Sequence, residues 1–459
     1  MYHKKAHIHF VGIGGIGMSG IATILKHQGY EISGCDGNHD QQSITDLKRI
    51  GCSIYLGNNT PACHDTSIEI VVYSTIIRPH HPEIVAAQLR GIPTIARALM
   101  LAELMRTKYS IAIAGAHGKT TTTSLISHIL IEAGIDPTVI IGGHLKNISA
   151  NARIGNGEFL VAEADESDRS FLHLQATLAV VTNIDLEHVE TYLDLDDIKA
   201  TFKQFINNLP FYGKVFVCID DPHLASILPI AHIKTVKYGL SAGADISASS
   251  VELNADHSLF MAHQTGKALG VVRLNMPGHH NMLNSLGAIA VALDVGVPFD
   301  VIAHALQSFK GIERRFSYKG TFYGAELFDD YGHHPVEIAN TLLVARRRTR
   351  NKLTVVFQPH RYTRTDKLWH SFLETFALSS IDTLIVTDIY PAFESPITGV
   401  TSERFVQALK AIKPPFDVYY IPFQDDFADI KRLLEQVVKP QDLIVSLGAG
   451  KITKLSEYL

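Results

Sequence analysis

The chain has 459 residues, 46% of them hydrophobic and 19% charged. A length of this order suits about three domains of ordinary size, and the composition excludes a disordered or low-complexity chain. With 41 Lys and Arg against 46 Asp and Glu and no block of five like charges, there is no footprint for nucleic acid or an anionic membrane.

The opening Met1-Tyr2-His3-Lys4-Lys5 carries some positive charge, but Gly12, Gly14, Gly15 and Gly17 break the apolar residues after it, so no export signal is expected. A strand is predicted over His7–Val11, then a Gly-rich turn, a helix from about Met18 to His27, and strands near residues 30–33 and 70–74. The second block opens with a strand over Tyr109–Ala114 and a helix over Lys119–Glu132, followed by strands over 159–162, 178–182 and 215–219. The span 283–306 is rich in apolar residues, but Asn284, Ser285, Asp294 and Asp300 interrupt it, so it is not expected to enter a bilayer. The third block shows a strand over Leu353–Phe357, a helix over 366–378, and strands over 383–387 and 443–446. The alternation predicts three α/β domains in series, at residues 1–107, 108–312 and 313–459. Cys35, Cys52, Cys63 and Cys218 form no CxxC and lie in mostly apolar segments, which predicts buried reduced thiols and a cytoplasmic protein.

Gly12-x-Gly14-Gly15-x-Gly17 follows a predicted strand and opens a helix, and Asp36 stands 19 residues beyond Gly17. Glycines let a backbone approach a pyrophosphate, whose charge the N–H groups of a helix N-terminus stabilise, and an acid such as Asp36 can accept from a ribose. A tight turn packing helix on sheet is the alternative, and the motif does not choose among diphosphates. Gly115-Ala116-His117-Gly118-Lys119-Thr120-Thr121, again between strand and helix, is a compressed phosphate loop. Amides near Gly118 would face phosphate oxygens, Lys119 would supply a positive point charge, and the Thr120 hydroxyl would reach Mg²⁺. Two later strands end in acids and imidazole, Glu163-Ala-Asp165-Glu166-Ser-Asp168 and Asn183-Ile-Asp185-Leu-Glu187-His188. In a parallel sheet both would open on the edge that carries the phosphate loop. A solvated acidic loop is the plainer reading of Asp165, Glu166 and Asp168.

The third block carries Arg314-Arg315, Asp329-Asp330-Tyr331-Gly332-His333-His334 and His360-Arg361-Tyr362-Thr363-Arg364. Arg361 and Arg364 are spaced to clamp a carboxylate or phosphate, unless they form a solvated basic turn. The adjacent pairs among the 24 histidines lack the spacing of a tetrahedral zinc site.

Taken together, FVGIGGIGMSG, the Gly115–Thr121 loop, VAEADESD with SFLHL, NLPFYG, PGHHNMLN, GIERRF, DDYGHHP, FQPHRYTRT and LGAGKI resemble, in order and over nearly the whole chain, the Mur ligase family. FVGIGGIGMSG, DDYGHHP and FQPHRYTRT point to its alanine-adding branch. The resemblance implies a three-domain α/β architecture: a Rossmann-like N-terminal domain, a P-loop ATPase-like central domain and a Rossmann-like C-terminal domain. It implies ATP and Mg²⁺ as cofactors and UDP-N-acetylmuramate and L-alanine as small-molecule partners, joined through an acyl phosphate, in a monomer or homodimer without nucleic acid or membrane insertion.

It also implies roles. Gly14, Gly15, Gly17, Asp36 and Ser74 would hold the UDP-sugar. Gly115 to Thr121 would bind ATP, with His280, Asn281, Asn284, Arg314 and Asp330. Thr120, Glu163 and His188 would hold metal, and Tyr331, His360, Arg361 and Arg364 would orient alanine. Lys119, Glu163, His188 and Arg361 would be catalytic, with His188 or His333 as the base and closure of the C-terminal domain excluding water. Three positions depart from the family pattern: Ala116 for the usual threonine, Glu187 for aspartate and His279 for arginine. A nicotinamide-dependent dehydrogenase would explain the first glycine motif but leaves Lys119 and the arginine pair idle. A non-catalytic nucleotide switch leaves the acidic and histidine strand ends unexplained.

Overall fold

Short aliphatic and β-branched runs build three mostly parallel sheets with helices between their strands. The computed structural model describes residues 5–38, 40–57, 65–74, 77–78, 80–145, 150–188, 190–230, 232–392 and 394–459. The chain divides into two compact units, one of Met1–Ser250, Phe260–Val272 and Leu283–Phe309, the other of Val251–Leu259, Arg273–Met282 and Lys310–Leu459.

The first sheet has the order Ser53–Leu56, Glu31–Asp36, His7–Val11, Ile68–Tyr73, Thr94–Ala96, and every pairing is parallel. The strand order reverses between His7–Val11 and Ile68–Tyr73. In such a sheet the crevice for a ligand opens at the carboxyl ends of those two strands, here the turn at Gly12 and the residue Ser74. The strand His7–Val11 is buried throughout, as parallel strands covered on both faces are. Two of its five residues are nevertheless histidines.

In the ten-stranded sheet, Tyr109–Ala114 lies between Leu178–Val181 and Phe159–Glu163, parallel to both. Register sets Ala114 opposite Val181 and Ile113 opposite Glu163. The phosphate-loop motif and both acidic runs therefore leave the sheet at the same edge. The helix Lys119–Glu132 begins there and is buried from Thr121 to Leu130.

The third sheet has the order Ser317–Phe322, Ala325–Asp330, Leu443–Leu447, Leu353–Phe357, Thr383–Val386, Asp417–Tyr420, with only the first pairing antiparallel. Side chains alternate between two cores. Val355, Phe357, Leu443 and Val445 pack with Leu342, Phe372 and Phe376, while Val356 and Ile444 pack with Phe427, Ile430 and Leu434. The helix predicted over 366–378 is instead two, Tyr362–Lys367 and Trp369–Ala377, broken at Leu368 (φ −102°, ψ 18°). The break lets Trp369 and Phe372 meet Phe405 edge-on, with ring centroids 5.4 and 6.4 Å apart.

Cys35, Cys52 and Cys218 are buried and in no disulfide, and burial pushes the thiol of Cys52 up to about 11 and that of Cys218 up to about 12. Cys63 lies outside the described residues. Among the described residues no helix is long and apolar enough to cross a membrane.

Candidate active site

The turn after Tyr109–Ala114 is built for close approach. Gly118 takes a left-handed conformation (φ +83°), and a Cβ there would come 2.5 Å from Asn284 Oδ1. A Cβ at Gly115 would collide with the Thr182 hydroxyl. The loop is held to the end of the neighbouring strand: His117 N donates to Asn183 Oδ1 (2.8 Å), and His117 O accepts from Thr182 Oγ1 (2.6 Å) and Asn183 Nδ2 (3.0 Å). His117 Nε2 lies 3.0 Å from Asp185 Oδ2. Among the described residues no side chain caps the helix Lys119–Glu132, and no acid stands in its first turn, so its amides and dipole are available to an anion.

Lys119 Nζ donates to Gly115 O (2.6 Å), Ala116 O (3.1 Å) and Glu166 Oε1 (2.8 Å). Burial works against its ammonium, but the charge and hydrogen bond of Glu166 outweigh it and hold Lys119 above the ordinary lysine value. His188, itself left-handed (φ +52°), places Nε2 3.3 Å from the same Glu166 Oε1 and 3.7 Å from Glu187 Oε2. Burial again opposes the charge, and the Glu166 hydrogen bond with the Glu187 charge raises the imidazole above its usual value. Glu166 is 3% exposed, so the solvated-loop reading fails for it. Among the described residues its second oxygen, Oε2, is buried without a hydrogen-bond partner.

Carboxylate and imidazole atoms of Glu166, Glu187 and His188 lie within 4.8 Å of one another, a donor set of oxygen and nitrogen that fits a hard divalent cation. Glu163 Oε1 accepts from Gly142 N (2.9 Å), and Thr120 is the half-buried second residue of the helix.

At the first sheet, Gly14 N donates to Asp36 Oδ2 (2.8 Å), while Asp36 Oδ1 accepts from Asn38 N (2.9 Å). Asp36 thus braces the glycine turn itself. Among the described residues no side chain caps the helix Ile16–His27. Ser74 closes the other side of the crevice, its Cβ 4.0 Å from where a Cβ on Gly12 would lie. Sequence reasoning missed Arg97. A Cβ on Gly17 would sit 2.9 Å from its guanidinium, which pairs with Asp165 Oδ2 at 3.0 Å. Its one sequence signal is a lone cation between the apolar runs 94–96 and 98–102. Burial opposes the charge of Asp165, but Arg97 and Ser167 hold its carboxyl below the usual range.

In the second unit, Asp330 is buried and accepts from Phe316 N (2.7 Å), Gly332 N (2.8 Å) and Thr341 Oγ1 (3.0 Å). Burial raises its carboxyl despite Arg315. Arg314 and Arg315 flank the Tyr331 ring at 4.7 and 5.4 Å. His280 and Asn281 begin the helix His279–Asp294 after Gly278 (φ +99°), and Asn281 Nδ2 donates to Pro277 O (2.7 Å).

Arg361, left-handed at φ +70°, pairs with Glu394 (2.7 Å), a partner that sequence reasoning did not anticipate. Arg364 lies 3.1 Å from His360 Nδ1. His360 stacks on Tyr390 (5.5 Å) and meets His333 edge-on (5.7 Å). Burial, then His333, Arg364, Arg361 and Arg314, push His360 down to about 3, so it is neutral.

Three family models match in succession: the Mur ligase family catalytic domain at residues 7–109, the Mur ligase middle domain at 113–292 and the Mur ligase glutamate ligase domain at 314–450. The UDP-N-acetylmuramate–L-alanine ligase of Geobacter sp. (strain M21) is 48% identical over all of this chain and 98% of its own length. The ligase of the same name from Syntrophus aciditrophicus (strain SB) is 46% identical over all of this chain and 94% of its own. Among solved structures, the UDP-N-acetylmuramate-alanine ligase from Thermotoga maritima superposes with a TM-score of 0.80 at 27% identity, covering 98% of this chain and 97% of that one. A murein peptide ligase from Psychrobacter arcticus shares the fold, with a TM-score of 0.72 at 24% identity over 99% and 97%. Models that tile the chain and relatives nearly half identical along its whole length show that it belongs to the Mur ligase family.

Proposed function

We propose that this chain joins L-alanine to the lactyl carboxylate of UDP-N-acetylmuramate at the expense of ATP, giving UDP-N-acetylmuramoyl-L-alanine, ADP and phosphate, a step of peptidoglycan synthesis in the cytoplasm. The observation that carries the chemistry is the shared sheet edge at which Lys119, Glu166 and His188 meet. The full-length identity to ligases of that name carries the substrates.

A carboxylate is a poor electrophile, because an attacking amine would have to expel an oxide. Phosphoryl transfer from ATP to the carboxylate oxygen gives an acyl phosphate. The amine then attacks the acyl carbon, the C–O bond breaks, and phosphate leaves. Bringing a carboxylate to a triphosphate juxtaposes like charges, so the residues work mainly by positioning and by supplying positive charge.

Gly115 to Thr121 cradle the phosphates, and Lys119 moves from Glu166 to the triphosphate or bridges both. The orphaned Glu166 Oε2, with Glu187, His188, Glu163 and Thr120 around the same edge, suits Mg²⁺, whose chemistry is neutralisation of phosphate charge. For His280, Asn281, Asn284, Arg314 and Asp330 the proposed role is nucleotide contact, with Asp330 acting through the loop that it braces. Gly14, Gly15, Gly17 and Ser74 receive the UDP-sugar diphosphate, with Asp36 holding the turn and Arg97 as an added cation. Tyr331, His360, Arg361 and Arg364 orient alanine. A neutral His360 can accept a hydrogen bond, and the unprotonated amine falls to His188 or His333 as base. The proposed domain limits are 1–107, 108–312 and 313–459.

Phosphate release with ATP, Mg²⁺ and UDP-N-acetylmuramate should be stimulated by L-alanine and not by the recycled tripeptide, the substrate of the nearest family branch. Stimulation by tripeptide alone would overturn the substrate assignment. Lys119→Ala should lower kcat on the order of 10²–10³-fold, and a near-wild-type rate would remove the loop from the mechanism. Asp36→Ala should chiefly raise KM for the UDP-sugar. A rise confined to ATP would reassign the first sheet.

His360 binds its proton more weakly folded than unfolded, so it contributes stability above pH ~6.5 that is lost as pH falls towards 3. Trp369, the one tryptophan, reports unfolding of the second unit. Its urea midpoint should fall between pH 6.5 and 5 more steeply in the parent than in His360→Gln, and equal slopes would refute a neutral His360.

A further inference from the structure

Beneath the glycine turn lies a polar cluster that the reaction does not use. His9, Cys35 and Glu83 come from two adjacent strands and the helix Pro82–Leu89, and are 1%, 1% and 2% exposed. His9 Nε2 is 2.8 Å from Glu83 Oε2, and Cys35 Sγ donates to the same oxygen at 3.0 Å. All three ligand-type atoms lie within 4.8 Å of one another. A turn packing helix on sheet needs none of them, and burying three polar groups among aliphatic side chains opposes folding unless they satisfy one another.

We propose that His9, Cys35 and Glu83 form a binding site for one borderline-soft divalent cation of the zinc class. Sulfur, nitrogen and carboxylate oxygen are the donor set that such ions select. A dication with a thiolate, a carboxylate and a neutral imidazole sums to zero charge, the balance that a fully buried site requires. Coordination forms a metal–sulfur bond and breaks the S–H bond of Cys35. That proton passes to solvent, while the one between His9 Nε2 and Glu83 is replaced by a proton on His9 Nδ1, so the imidazole stays neutral.

Metal–ligand lengths of about 2.0–2.3 Å set the donor atoms roughly 3.3–3.7 Å apart. The two short contacts therefore open by about half an ångström.

The outer shell is in place. A metal-bound imidazole normally engages a polar partner through its other nitrogen, and His9 Nδ1 lies 2.9 Å from Ser33 Oγ. From there the chain continues to His7 Nε2 (2.7 Å), from His7 Nδ1 to Ser67 Oγ (2.7 Å), and from Ser67 Oγ to Asp65 Oδ1 (2.8 Å), a carboxylate at the surface. It supplies both orientation and a route for the displaced proton. Cys35 O also accepts from Gly12 N (2.9 Å) and Ile13 N (3.0 Å), so the site is joined to the glycine turn.

Cobalt tests the site, because a thiolate-to-cobalt charge-transfer band reports sulfur ligation and the cation site beside Lys119 offers only oxygen and nitrogen. The full-length protein, stripped with chelator and desalted, should take up Co²⁺ with that band. A variant with Cys52, Cys63 and Cys218 all changed to Ser should keep it. Cys35→Ser should abolish the band and weaken Zn²⁺ at this site at least ~10-fold, the loss that even an outer-shell partner causes. Absence of the band in the parent, or its survival in Cys35→Ser, would overturn the proposal. Should Cys35→Ser not fold, Glu83→Gln decides: a comparable loss of Co²⁺ affinity supports the site, and unchanged affinity refutes it.

Discussion

A half-buried ammonium held by a buried carboxylate, Lys119 against Glu166, is the contact on which the central site depends. Removing either partner would leave the other's charge uncompensated in a largely buried site, which is destabilising. Each side chain arrives from a different loop, so the pair exists only because two parallel strands end at the same height. Glu166 does more than neutralise Lys119. The same oxygen faces His188 and the other has no hydrogen-bond partner among the described residues, so one carboxylate fixes the lysine, raises the imidazole and keeps an acceptor in reserve. In the proposed reaction a triphosphate would compete with Glu166 for the ammonium, and a cation at Glu166 would release it.

The glycine turns follow a second rule. An acid at the end of a strand accepts the amides of a neighbouring turn: Asp36 takes Gly14 N, and Asp330 takes Gly332 N and Phe316 N. Glycine leaves room for the backbone to fold onto the carboxylate, and the carboxylate fixes where the remaining amides point. A cation then stands over the turn, Arg97 beside Gly17 and Arg314 and Arg315 about Tyr331. Turns of this kind bind anions through backbone dipoles that need no reorganisation when charge arrives.

Much of this was legible in the sequence. The strands His7–Val11, Tyr109–Ala114 and Leu353–Phe357 and the helix Lys119–Glu132 have the limits that their patterns predict. Local chemistry specifies them: strong apolar runs bounded by glycine, asparagine or proline. The long helix over 366–378 was misread because its break serves a distant ring, Phe405, which no local pattern encodes. Partnerships were hidden for the same reason. Glu394 beneath Arg361 and Arg97 above Gly17 come from remote segments, and a lone charge in sequence reads as surface. Asp36 and Asp330 were legible as important acids, but not that they hold their own turns. Spacing tells that an acid is near a glycine loop, whereas only coordinates tell whose amide it accepts.

The histidines show how far neighbours, and not residue type, decide chemistry. His188 is buried beside two carboxylates, and their attraction overcomes the burial that would strip its proton. His360 is buried beside arginines and another imidazole, where burial and charge act in the same direction and leave it neutral. Had His360 been charged, it would add a fourth cation to Arg314, Arg361 and Arg364 and repel them. Neutral, it accepts from Arg364 and stacks on Tyr390, so it shapes the cluster without adding to its charge. A carboxylate entering that cluster is then met by guanidinium groups, whose pKa is too high to be lost. Were an amino acid to bind there as proposed, the attraction for its carboxylate would rest on guanidinium charge that does not titrate near neutral pH.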